Sequence, residues 1–188
     1  MKGLLSKKCE TAYFDTLNNF SCQKLKDCIL KYMIDSNIEN HTPVILCIGT
    51  DRATGDCLGP LVGEQMINYD HRYHVLGTLQ SPVHALNIKD AIKYIETNIP
   101  NPFIIAVDAS LGSSSHIGYI TVSNCPISPG KGVNKKLPAI GDISITGIVN
   151  VSGQNPGLLH STRLYSVMQL ADYISEALKY SINYLEDF

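Results

Sequence analysis

Two aspartates follow apolar runs of the kind that form buried strands. Asp56 lies in the run VILCIGTDRATGDCLGP at 44–60, and Asp108 lies in FIIAVDASLG at 103–112. Strands that are apolar along their whole length are typical of parallel sheets covered by helices on both faces. Ligands bind beyond the carboxyl ends of the strands in such sheets, so two neighbouring strands would bring both carboxylates to one crevice.

Two facing carboxylates can share a proton, because ionisation of the second one is disfavoured. Peptide hydrolysis by a carboxylate pair uses this property: one ionised group takes a proton from water, and one protonated group acts on the scissile amide. The pair titrates as a unit, so the sequence does not assign the acid and the base individually. Asp56 and Asp108 are therefore the predicted catalytic residues.

Glycines and small polar residues surround Asp56. Glycines permit tight turns and close approach of a substrate backbone, and a helix that begins near Gly59 offers N–H donors to a developing negative charge. The predicted substrate-binding residues are Gly49, Thr50, Asp51, Gly55, Gly59, Gly130 and Gly132. For Asp51, a salt bridge with Arg52 or a turn is the simpler interpretation.

Structural roles compete with each of these chemical interpretations. Asp56 could cap the helix that begins near Gly59, and Asp108 could close a turn. A thiol nucleophile at Cys57 is a further alternative, and three lysines at 131, 135 and 136 could bind an anion or form a solvated charge cluster. Motifs of serine hydrolases, P-loop enzymes and HExxH zinc proteases are absent from the sequence.

The pattern of elements predicts the scaffold. Helices are expected at 15–36, 59–69, 87–98 and 162–184, and strands at 43–48, 75–79, 103–108, 118–122 and 142–149. Alternating strands and helices favour a single-domain three-layer αβα sandwich with a mainly parallel sheet. The single domain is predicted to span 1–188, with an N-terminal helical segment at 1–40 packed on an αβα core at 43–184.

Composition narrows the classes of function. The chain has 188 residues and a net charge of -2, which gives no basic footprint for nucleic acid. No apolar stretch has the roughly 18 residues needed to cross a bilayer, and the N-terminus is unlike a signal peptide. The six cysteines include no CxxC pair, so we expect reduced thiols in a soluble cytoplasmic protein. A homo-oligomer is left open.

Three segments together resemble a known family. They are GTDRATGDCLGP, VDASLG and SPGKGVNKKLPAIGDISITGIVN. This pattern resembles the sporulation proteins of the YyaC type, relatives of the germination (spore) protease, over roughly 43–180. TGDCLGP and VDASLG match the two motifs that contain the functional aspartates of that protease, and PGKGVNK is similar to its glycine-rich segment. More remotely, the layout resembles hydrogenase maturation endopeptidases, whose fold is phosphorylase/hydrolase-like.

The resemblance implies a spore protease-like peptidase that uses Asp56 and Asp108 on a peptide or small spore protein, in the developing spore or the mother cell. No cofactor is expected. One alternative is a non-catalytic sporulation factor on a protease scaffold. The other is a metal-dependent hydrolase, in which a divalent ion would be held by Asp56 and Asp108 with His84 or His160.

Overall fold

Six strands form one mixed sheet. The structure, a computed structural model, describes residues 8–18, 20–129, 139–153, 159 and 161–184. The strands are β1 (Thr11–Asp15), β2 (Thr42–Cys47), β3 (His74–Leu76), β4 (Pro102–Gly112), β5 (Tyr119–Ser123) and β6 (Ile143–Val151). Their order across the sheet is β1-β5-β6-β4-β2-β3. The four strands β6, β4, β2 and β3 are parallel, and β5 pairs antiparallel with both β1 and β6.

Helices cover both faces of the sheet. Those of the described residues are α1 (Ser21–Ile34), α2 (Leu58–Met66), α3 (Ile88–Asn98) and α4 (Leu164–Tyr184). Side chains alternate along β2: Ile45 and Cys47 pack with α1, α2 and α4, whereas Val44 and Leu46 pack with α3. Both faces of β2 are therefore apolar, which explains its unbroken hydrophobic run. The predicted α/β sandwich with a mainly parallel sheet is confirmed.

The N-terminal segment contributes a strand that the sequence analysis missed. Ala12 and Phe14 of β1 face the core, while Tyr13 between them is 56% exposed. This alternation is that of a half-buried edge strand. The helix predicted from residue 15 begins instead at Ser21, after β1 has paired with β5.

A disulfide joins Cys9 to Cys125. Cys9 precedes β1 and Cys125 follows β5, and the pairing of Thr11 with Ser123 brings the two cysteines together. The expectation that all six cysteines are reduced is therefore wrong for this pair; the other four are free thiols. In the part of the chain that the structure describes, no helix has the length and apolar character of a membrane span.

Candidate functional site

Asp56 lies in a tight loop that follows β2. The loop forms a 3₁₀ turn at Thr54–Cys57 and leads directly into α2. The Thr50 N–H donates to the Asp56 carbonyl oxygen at 3.0 Å and closes the loop. Gly49 has φ of +144°, and a Cβ there would lie 2.0 Å from that same carbonyl oxygen. Glycine at 49 is thus required by the fold of the loop that presents Asp56.

Asp108 lies inside β4, which continues to Gly112. The sequence predicted a strand that ends at residue 108 and is followed by a turn, but the strand continues through residues 109–112. Residues 109–112 remain in the strand because they pair with β6, and this pairing extends to Gly112 opposite Val151. The Asp108 side chain is only 7% exposed, and the Ala109 N–H donates to its Oδ1 at 2.8 Å.

Pairing of β2 with β4 brings the two predicted catalytic carboxylates together. The strands are parallel neighbours with Cys47 opposite Val107, and the Ile48 N–H donates to the Val107 carbonyl at 2.7 Å. The loop that holds Asp56 therefore begins beside Asp108. The negative charge of Asp56 acts directly on Asp108 and is one cause of its shifted pKa.

Burial raises the pKa of both carboxyls. The pKa of Asp108 lies well above its ordinary value, first because the group is buried and second because of the charge of Asp56. The hydrogen bond from the Ala109 N–H lowers the pKa but does not offset these two effects. Burial also raises the pKa of Asp56, but a hydrogen bond from the Thr50 backbone and the charge of His84 oppose that shift. The two carboxyls thus have different environments, and Asp108 holds its proton more firmly.

The competing structural roles of the aspartates do not match the geometry. The residue that precedes α2 is Cys57, and no side chain caps this helix. Asp108 lies within a strand and closes no turn. The thiol alternative is also disfavoured, since burial and the charges of Asp51 and Asp56 raise the pKa of Cys57, whereas a nucleophilic cysteine needs a lowered one.

The predicted substrate-binding residues occupy different settings. Gly55 and Gly59 are buried; the Gly55 N–H donates to the Leu159 carbonyl at 2.7 Å, and a Cβ on Gly59 would lie 2.2 Å from the Ile48 carbonyl oxygen. Asp51 is exposed and Thr50 is half-buried at the mouth of the loop. Gly130, Gly132 and the three lysines near them lie outside the described residues. Substrate binding by these residues stays a prediction.

His84 is brought close to Asp56 by a contact that the sequence did not reveal. Val83 forms a parallel bridge with Ile48, and its carbonyl accepts the Gly49 N–H at 2.8 Å. Asn87 fixes this segment, because its side chain accepts the His84 N–H and donates to the Pro82 carbonyl. An asparagine at the start of a helix signals a cap, and that signal could have identified Asn87 as a positioning residue.

The predicted metal ligands do not form a metal site in the described part of the chain. No group of three or more His, Cys, Asp or Glu side chains there is arranged to hold a metal ion, although Asp56, Asp108 and His84 share one region. His160 lies outside the described residues. Among the described residues, Asp56, Asp108 and His84 are therefore not arranged as a complete set of metal ligands.

A chain of hydroxyl groups next to Asp108 was also not predicted from the sequence. Thr146 of β6 is opposite Asp108 in the sheet. Its Oγ1 accepts a hydrogen bond from Ser110 at 3.2 Å and shares another with Thr121 at 2.7 Å. The period-two spacing of Asp108 and Ser110 is the signal that places them on one face of β4. The hydroxyls extend the polar site from β4 across β6 to β5.

One family model matches most of the chain. Residues 13–177 match the model of the family described as "Protein of unknown function (DUF1256)". The chain is 50% identical over 137 residues to "Uncharacterized protein YyaC" of Bacillus subtilis (strain 168), a match that covers 72% of this chain and 67% of that protein. The expected likeness to YyaC-type proteins is confirmed, and the link to the germination protease stays a prediction.

Among solved structures, the chain is similar to the NiFe hydrogenase maturation protease HycI from Thermococcus kodakarensis KOD1. The TM-score is 0.44 at 20% sequence identity, and the match covers 73% of this chain and 92% of that chain.

Proposed function

The chain belongs to the family described as "Protein of unknown function (DUF1256)", and on that premise we propose that it is a peptidase-like hydrolase that acts on a peptide or small spore protein. The observation that supports this proposal is the pairing of a buried carboxyl, Asp108, with the negative charge of Asp56 at the carboxyl edge of the sheet. Such coupled carboxyls are found where one group must donate a proton and the other must accept one.

The environments support a division of roles in this proposal. Asp108 is the buried member with the more strongly raised pKa, so it is assigned as the protonated acid. Asp56 is half-buried, and the Thr50 N–H and His84 favour its ionised form, so it is assigned as the base.

The proposed reaction uses these two groups in sequence. Asp56 takes a proton from water, and the resulting hydroxide attacks the carbonyl carbon of the scissile amide. Asp108 gives its proton to the amide nitrogen, and the C–N bond breaks. The proton held by Asp56 then restores Asp108, and the pair returns to its singly protonated state.

The spore context of the proposal rests on sequence motifs. TGDCLGP and VDASLG are similar to the aspartate motifs of the germination protease, and YyaC is the B. subtilis relative described above. The proposed substrates are accordingly small acid-soluble spore proteins or peptides, and the proposed location is the developing spore or the mother cell.

Cleavage of purified small acid-soluble spore proteins tests the proposal. The wild type and the Asp56→Asn, Asp108→Asn and Asp27→Asn variants are incubated with substrate, with and without a chelator, and the products are identified by intact mass. Asp27 is exposed on α1 and serves as the control. We expect specific cleavage by the wild type and by Asp27→Asn, and a loss of at least about 100-fold in the other two variants, the size of a general acid-base contribution.

Each alternative gives a different result. Cleavage that a chelator abolishes would favour a metal-dependent hydrolase. Intact substrate with the wild type, together with stable complex formation, would favour a non-catalytic sporulation factor on a protease scaffold. Equal cleavage by the wild type and Asp108→Asn would show that the paired carboxyls are not the catalytic groups.

A further inference from the structure

A cavity of about 630 Å³ lies at the edge of the sheet, beside β3. Its volume falls in the range of about 300–1,000 Å³ that is typical of ligand sites. Val75 and Leu76 of β3 form its floor, and Val83, the residue that bridges to Ile48, lines one end. We call this space the edge cleft. Neither Asp56 nor Asp108 lines it.

The walls of the edge cleft come from opposite faces of the sheet. Glu64 and Ile67 belong to α2 or directly follow it, on one face, whereas Asp90 and Tyr94 belong to α3 on the other. The edge cleft therefore lies in the plane of the sheet, next to β3. The helical layers on the two faces extend beyond β3, and the space between them has room for one more strand.

The backbone of β3 is suited to such a strand. β3 is the last strand in the order β1-β5-β6-β4-β2-β3, and among the residues that the structure describes it pairs on one side only, with β2. An edge strand presents unpaired N–H and C=O groups to an added chain. Extended peptides bind proteins in this way, with affinity from backbone hydrogen bonds and selectivity from pockets for alternate side chains.

The charged residues that line the edge cleft favour a basic occupant. Glu64 and Asp90 are exposed on its two walls, and no Lys, Arg or His belongs to the described residues that line it. Tyr94 and Ile67, which are 54% and 40% exposed, add apolar surface beside the acids. A basic side chain with an apolar stem matches this combination. A second copy of the chain would instead bring the same acids face to face.

We infer that the edge cleft binds an extended peptide with a basic side chain as a seventh strand of the sheet. This inference deepens the proposed function, on which it rests, because it names the class of substrate. A strand added to β3 lies two strand spacings, about 10 Å, from β2. About three further extended residues span that distance, so a bound chain can pass the Val83 end of the cleft and reach Asp56.

Fluorescence anisotropy with a labelled hexapeptide tests the inference. The probe is Thr-Val-Lys-Val-Thr-Val with blocked ends and an attached fluorescein, and the protein is the full chain carrying Asp56→Asn, which separates binding from cleavage. Matched probes replace the lysine with glutamate or carry N-methyl groups on alternate amides, in either register. We expect saturable binding of the lysine probe, and about tenfold weaker binding of the glutamate probe and of one N-methylated probe.

Variants of the protein locate the site. The Glu64→Gln and Asp90→Asn variants should each reduce the preference for lysine over glutamate several-fold. Glu96→Gln, on the same helix as Asp90 but outside the cleft, is the matched control and should leave the preference unchanged. The N–H groups of Val75 and Leu76 point to opposite edges of β3, so amide exchange followed by NMR should slow most at the one of the two that faces away from β2 when the probe binds.

Three results would overturn the inference: no saturation by the lysine probe, equal affinity for all N-methylated probes, or dimerisation that buries the cleft. Each is distinguishable from failure of the proposed function. Saturable, lysine-selective binding without cleavage by the wild type would refute hydrolysis alone. Cleavage of spore proteins that is indifferent to Glu64→Gln and Asp90→Asn would refute the edge cleft alone.

Discussion

Replacing Asp108 with asparagine should stabilise the folded protein and abolish the proposed activity. The side chain is 7% exposed, and burial together with the charge of Asp56 raises its pKa well above the ordinary value. Asparagine keeps the size of the side chain and an oxygen that can accept the Ala109 N–H, but it has no charge to bury. Desolvation of a buried group of this kind costs about 1–3 kcal/mol, and we expect a gain of that order at pH 7.

The gain should depend on pH in a defined direction. A carboxyl whose pKa is raised in the folded state binds more protons there than in the unfolded chain, so stability falls as pH rises above the unfolded value of about 3.9. The Asp108→Asn variant lacks this loss. Its advantage over the wild type should therefore be small at pH 4, grow as pH rises, and level off above the folded-state pKa of Asp108.

Thermal unfolding by circular dichroism at pH 4, 5.5 and 7 measures this effect. For a chain of this length, 1 kcal/mol corresponds to about 2–4 °C in Tm. Asp51→Asn, in the exposed part of the Asp56 loop, is the control and should change stability by no more than about 0.5 kcal/mol. A lower stability of Asp108→Asn than of the wild type at all three pH values would refute the assignment of Asp108 as a buried acid with a raised pKa.

Three further substitutions probe how the site is built. Gly59→Ala should cost about 1–3 kcal/mol in urea unfolding, because its Cβ would lie 2.2 Å from the Ile48 carbonyl oxygen; an unchanged midpoint would contradict that contact. Asn87→Ala should cost about 1–3 kcal/mol by the same assay, since it removes two hydrogen bonds of the segment that holds His84. Cys9→Ser should lower stability by about 2–4 kcal/mol in oxidising buffer and by far less in reducing buffer, where the wild type also lacks the bond to Cys125.

The parallel strands could be predicted from the sequence because a strand that is buried on both faces is apolar along its whole length. Residues 44–48 are all apolar, and in the structure their side chains pack alternately with α3 and with the helices of the opposite face. The start of α2 could also be predicted, because Gly59 and Pro60 directly follow the loop that contains Asp56. The neighbouring positions of β2 and β4 could not be predicted in this way, because β3 lies between them along the chain and the chain crosses over β2 to reach β4.

Features that depend on distant pairing could not be predicted in the same way. The strand was expected to end at Asp108, but pairing with β6 keeps residues 109–112 extended as well. The approach of His84 to Asp56 requires the bridge between Val83 and Ile48, which no local pattern encodes. The edge cleft likewise depends on how far α2 and α3 extend beyond β3, a property of packing between distant parts of the chain.

The two motifs place chemically identical side chains in unlike surroundings, and this difference is what makes the pair useful. The 3₁₀ turn leaves Asp56 half-buried, with the Thr50 N–H and His84 to favour its ionised form. Because β4 continues past Asp108, that residue is buried within the sheet, where ionisation of its carboxyl is disfavoured. If Asp108 stood in an exposed turn, water would solvate both charges and each carboxyl would ionise near its ordinary pKa. The extra length of β4, which the sequence did not reveal, is therefore the feature that gives the two carboxyls different pKa values and on which their proposed roles as acid and base depend.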